Sequence, residues 1–123
     1  MQKKLLDPDN MYTAIWEFPE NLSEALRIGN SIDLKNKFTN IQNIVIAGMG
    51  GSAIGGDIMS VLESKNINIP IFVCRDYSLP NWVNNKTLVI CSSYSGNTEE
   101  TLQALDEAVK KKSQICCITT GGE

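Results

Sequence analysis

The chain has 123 residues, 42% hydrophobic and 20% charged, which is enough for one ordinary globular domain with one core. A net charge of −3 without a basic cluster speaks against nucleic acid or an anionic membrane as a partner. The chain lacks histidine and any leader or long apolar run, so imidazole chemistry is excluded and a soluble, cytoplasmic protein is expected.

Residues 1–40 read as helical. Asp9 or Asn10 can cap a first segment carrying Met11, Ala14, Ile15 and Phe18. Pro19 suits the first turn of a second, with Leu22, Ala25, Leu26 and Gly29 at helical spacing. These apolar residues suit packing on a sheet or on a partner subunit.

The pattern changes near residue 43. Short apolar, β-branched runs at Ile44–Ala47, Ile69–Cys74, Thr87–Cys91 and Ile115–Thr119 read as four strands. Helical stretches lie between them, at about Ala53–Ser64 and Thr98–Lys112, the second with Leu102, Leu105, Ala108 and Val109 on one side. Tyr77–Lys86 reads as a loop around Pro80 and Trp82. This alternation predicts an α/β fold, a doubly wound parallel sheet with right-handed crossovers. The domain at 41–123 is expected to be cut short at its C-terminal end, with β-strand four as an exposed edge. The four cysteines, Cys74, Cys91, Cys116 and Cys117, fall in strand-type runs without a CxxC pair, so they read as reduced core residues and no metal site is expected. Lys110–Lys112 ends a helix, where cations suit the dipole.

Two loops carry chemistry. Gly48–Gly56 follows the first strand and opens a helix, with five glycines in nine residues and one hydroxyl, Ser52. Glycine lets backbone N–H groups approach a ligand, and a helix N-terminus favours an anion. Ser92–Thr98 follows the third strand and offers Ser92, Ser93, Ser95, Asn97 and Thr98 ahead of another helix, whose start Glu99 and Glu100 suit. Ser95 or Asn97 could cap that helix, but capping needs one such group, whereas several hydroxyls suit the oxygens of a phosphate monoester. A third element, Thr119–Gly122, could line the same crevice. With strand order 2-1-3-4, both loops would meet where the order reverses.

Rival readings are a dinucleotide site, since Gly48-x-Gly50-x-x-Ala53 matches a fingerprint and Asp76 follows strand two, and a non-catalytic sugar-phosphate sensor. A P-loop is excluded by the missing Gly-Lys-Ser/Thr.

The pair Met49-Gly-Gly-Ser-Ala-Ile-Gly-Gly-Asp57 and Ser93-Tyr-Ser-Gly-Asn-Thr-Glu-Glu-Thr-Leu102 resembles the bifunctional phosphoglucose/phosphomannose isomerases, and Phe18–Leu22 and Thr119–Gly122 are similar to that family too. The resemblance implies a flavodoxin-like, sugar-isomerase (SIS) domain from the N-terminal part of an isomerase. Such an enzyme interconverts glucose 6-phosphate or mannose 6-phosphate with fructose 6-phosphate, without cofactor or metal, as a homodimer. By motif position it implies Gly50, Gly51 and Ser52 at the sugar, and Ser93, Ser95 and Thr98 at the phosphate. The family's catalytic glutamate, histidine and lysine have no counterpart in this chain, so no catalytic residue is expected here. Glu99 and Glu100 read as helix-dipole residues.

Overall fold

A computed structural model describes residues 7–122. The chain divides into two compact units, Met1–Lys37 and Phe38–Glu123. The division falls at 37/38, where the sequence reading placed it at 40/41.

The first unit holds helices α1, Met11–Trp16, and α2, Phe18–Ser31. Asn10, one of the two residues expected there, stands at the N-cap of α1 but makes no side-chain cap bond. Asp7 reaches forward over the turn instead, and its carboxylate accepts the N–H of Met11 at 2.7 Å and of Tyr12 at 3.0 Å. Asn10 itself is left-handed, and its amide oxygen accepts the Thr13 hydroxyl instead. Pro19 stands in the first turn of α2, where its missing N–H costs nothing.

The second unit is a four-stranded, all-parallel sheet. Its strands are β1, Asn43–Ala47; β2, Ile71–Cys74; β3, Thr87–Ser93; and β4, Gln114–Thr119, in the order β2-β1-β3-β4. Helix α3, Gly51–Glu63, follows β1, and α4, Glu99–Lys110, follows β3. The expected strand order is therefore the observed one. β1 and β3 are the central strands, and Val45 and Val89, register partners, are completely buried. Around them pack Ala47, Cys74, Cys91, Ala104 and Ala108, with Leu79 and Val83 brought in by the loop after β2.

The buried stripe of α4 matches the expected one at Leu105 and Ala108 but not at Leu102 and Val109. Thr101, Ala104 and Ala108 are buried with Leu105 beside them, while Leu102 and Val109 face solvent. Both stripes have helical spacing. The large residues drew the sequence reading, but small residues let the helix backbone sit close to the sheet. On α3, Gly56 serves the same end, since a methyl group there would meet Ile46 Cγ2 at 3.0 Å.

The cysteines are free, as expected, but not all are core. Cys74 and Cys91 are buried, whereas Cys116 and Cys117, on the edge strand β4, are half-buried and exposed. Burial, and then the neighbouring Cys117 thiol, push the Cys91 thiol up to about 12.

Candidate functional site

The order reverses between β1 and β3, and the crevice beyond their carboxyl ends is where such sheets bind ligands. Both glycine and hydroxyl segments arrive there, in shorter form than the sequence suggested.

The first connection is only Gly48–Gly50, because α3 begins at Gly51 and takes Ser52, Gly55 and Gly56 into its first two turns. Gly48 donates its N–H to the Cys74 carbonyl at 3.1 Å, tying the loop to β2. Gly50 turns the chain at φ +53°, ψ −127°, a region closed to residues with a Cβ, and its carbonyl accepts the N–H of Ala53 and Ile54. Among the described residues no acceptor pairs with the N–H of Gly50 or Gly51.

The second connection is also shorter, since β3 continues through Ser92 and Ser93. Ser93 is 6% exposed. Its hydroxyl accepts the Gly96 N–H at 3.1 Å and lies 2.9 Å from the Thr98 hydroxyl. It is the internal fastening of the loop. Ser95 accepts the Asn97 N–H at 3.2 Å. Neither Ser95 nor Asn97 caps α4. Thr98 stands at the cap position and holds the helix through its carbonyl, which accepts the Leu102 N–H at 3.0 Å. Gly96 has φ +77°, and a Cβ there would lie 2.1 Å from the Gly121 carbonyl oxygen.

That contact gives the third element its place. Thr119–Gly122 does not line the crevice but buttresses the second loop from behind. Thr120 donates its N–H and its hydroxyl to the Tyr94 carbonyl, at 3.3 Å and 2.7 Å.

Between the two connections opens a cleft of about 600 Å³, lined by Met49, Gly51, Ser52, Tyr94, Ser95 and Thr98. Of the residues expected at the site, Gly51, Ser52, Ser95 and Thr98 line it. Gly50 caps α3 at its margin, and Ser93 lies beneath. Met49 and Tyr94 were not singled out from the sequence. An aromatic between two serines in an otherwise small, polar loop was the available signal for Tyr94.

The N-termini of α3 and α4 both open on this cleft, so two helix dipoles present their positive ends to it. No lysine, arginine, aspartate or glutamate is among the lining side chains. Glu99 and Glu100 occupy the first turn of α4, as expected for its dipole. The Glu100 charge first, then desolvation and the Glu99 charge, raise the Tyr77 phenol above its ordinary pKa. Arg75 is paired with Asp57 of α3. Asp76, which a dinucleotide site would need for a ribose, accepts the N–H of Tyr77 at 2.7 Å and so holds its own turn. Among the described residues no group of three or more histidine, cysteine or acidic side chains could hold a metal ion. The site is thus a set of neutral hydroxyl and N–H donors in a positive backbone field, which suits a phosphate monoester.

No family model matches the chain. It is 48% identical over 113 residues to a bifunctional phosphoglucose/phosphomannose isomerase of Caldicellulosiruptor bescii, covering 92% of this chain and 33% of the relative. Against the enzyme of that description from Thermoplasma acidophilum the identity is 47% over 106 residues, covering 86% and 33%. The chain is homologous to part of the bifunctional phosphoglucose/phosphomannose isomerases. It spans about a third of the length of these curated relatives. A crystal structure from Clostridium difficile 630, of a protein assigned as a phosphosugar isomerase, superposes with a TM-score of 0.72 at 23% identity, over 85% of this chain and 31% of that one. At that identity the likeness is one of fold, and it agrees with the α/β, parallel sheet expected from the sequence.

Proposed function

We propose that this chain is the sugar-phosphate-binding part of an aldose–ketose isomerase that interconverts glucose 6-phosphate or mannose 6-phosphate with fructose 6-phosphate. The observation that carries the reading is the cleft itself. Two helix N-termini, the free N–H group of Gly51, and the hydroxyls of Ser52, Ser95 and Thr98 converge on one opening, with Gly50 at its margin. Three terminal phosphate oxygens can each take a donor there, and Ser93 acts as the positioning residue that fixes Thr98 and Gly96. Gly50, Gly51 and Ser52 stand towards the sugar in this assignment, and Ser95 and Thr98 towards the phosphate.

No carboxylate, imidazole or amine lines the cleft, so these residues bind and orient the sugar without moving its proton. Transfer between C1 and C2 needs a positioned acid–base group. In this proposal it comes from a second domain or a second subunit of a homodimeric, cytoplasmic enzyme. The kinship to isomerases of which this chain spans a third supports that division. It also fits that no helix among the described residues is long and apolar enough to cross a membrane.

The reading is tested by thermal melting with glucose 6-phosphate, mannose 6-phosphate and NADH. The sugar phosphates are expected to raise the melting temperature in a concentration-dependent way, and NADH to leave it unchanged. Stabilisation by NADH alone would replace this reading with the dinucleotide one.

A further inference from the structure

We infer that Tyr94 is the sugar-recognition platform of the cleft, a role distinct from the phosphate cradle and resting on the reading of the cleft as a sugar-phosphate site. Tyr94 is 79% exposed, the most exposed large hydrophobic residue among those described, yet it stands in the site's own wall. Exposed aromatic rings at a mouth of small polar residues are the usual place for a ring to meet an amphipathic ligand, because one face is apolar and the hydroxyl can remain wet.

The backbone beneath the ring is fixed. The Tyr94 carbonyl takes two hydrogen bonds from Thr120, and the loop that follows is held by Ser93 and by the close packing of Gly96 on Gly121. A ring carried on so constrained a segment loses little backbone freedom when a ligand lies on it.

Position separates Tyr94 from the cradle. The anion donors are the α4 N-terminus with Ser95 and Thr98, while Gly50, Gly51 and Ser52 stand towards the sugar. Tyr94 and Met49 contribute the large apolar surface of the same lining, one from each connection. A sugar phosphate seated with its phosphate on the donors brings its carbon skeleton against these two side chains. The C–H face of a hexose matches an aromatic face, and inorganic phosphate has nothing to place there. Tyr94 therefore contributes to the sugar and leaves the phosphate untouched.

The experiment compares glucose 6-phosphate with inorganic phosphate by NMR titration of the wild-type chain, Tyr94→Ala and Tyr94→Phe. In the wild type, glucose 6-phosphate is expected to shift the Tyr94 ring resonances and inorganic phosphate is not. Tyr94→Ala is expected to bind glucose 6-phosphate about threefold to tenfold more weakly, the range for one lost aromatic contact, with phosphate affinity unchanged. Tyr94→Phe should bind both ligands as the wild type does. An equal loss of both ligands in Tyr94→Ala, or no loss of either, overturns the inference, as does a loss in Tyr94→Phe, which would assign the contact to the hydroxyl. If neither ligand binds the wild type, the cradle reading itself fails, which is a different result from any of these.

Discussion

Replacing Ser93 by alanine separates the two ways a hydroxyl can serve this site. Ser93 is nearly buried, and its hydroxyl makes the Gly96 and Thr98 hydrogen bonds, at 3.1 Å and 2.9 Å. Each such bond contributes about 0.5–1.5 kcal/mol net, so Ser93→Ala should destabilise the fold by about 1–3 kcal/mol. For a domain of this size that is a fall in melting temperature of at least about 4 °C. The freed Thr98 hydroxyl no longer points by constraint, and glucose 6-phosphate affinity should fall with it. Ser95→Ala is the control. Its hydroxyl accepts only the Asn97 N–H within an exposed loop, so stability should change by less than about 0.5 kcal/mol while affinity still drops. Urea unfolding and a glucose 6-phosphate titration on the two variants decide the matter. If Ser93→Ala abolishes binding and leaves stability untouched, Ser93 is a direct ligand contact, and the assignment of its hydroxyl to the loop's interior is wrong.

Two further outcomes can be checked on the same protein. A Cβ at Gly55 meets nothing within 4 Å, so Gly55→Ala should stabilise the fold by about 0.4–1 kcal/mol, whereas Gly56→Ala, pressing on Ile46, should destabilise it by about 1–3 kcal/mol; equal urea midpoints for the two would contradict their placement on α3. The raised Cys91 thiol sets an alkaline limit: the unfolded chain releases this proton near pH 9 and the native chain near pH 12, so between those values the unfolded state binds fewer protons and stability falls, by up to about 1.4 kcal/mol per pH unit. Cys91→Ala should remove that slope from stability measured between pH 8 and 10.5, and an unchanged slope would refute the cause.

What the sequence made legible follows from what each signal depends on. Strand identity was readable because the four apolar runs are separated by helical stretches, whereas the order 2-1-3-4 came from the fold class and is not visible in the sequence. The meeting of the two connections between β1 and β3 followed from that order. Boundaries were not readable where one residue type serves two structures. Gly51 and Ser52 look like loop but open α3, which starts two residues before the expected Ala53. Ser92 and Ser93 look like loop but extend β3. The stripe of α4 was misread at Leu102 and Val109 because hydrophobic size outweighed close approach, and Cys117 because the expected exposure of the β4 edge was not carried through to its side chains. The cap at Asp7 depends on a left-handed Asn10 that no local pattern announces.

The chemistry that the cleft omits is as informative as what it holds. A phosphate dianion meets here no side-chain cation, only N–H and hydroxyl donors and two helix ends, each worth about 0.3–1 kcal/mol in an exposed setting. Removing a charge from water without a paired cation is costly, so such a cradle works only while it stays open and the phosphate keeps part of its hydration. An open cradle suits a ligand handle better than a reacting group. It fixes one end of the molecule and leaves the other to whatever closes over Met49 and Tyr94. The same openness explains why the supporting contacts are so dense below the surface. Ser93, Gly96, Thr120 and Gly121 make the loop rigid without help from the ligand. Donors held in place beforehand lose little freedom on binding, which is how neutral groups can hold an anion at all.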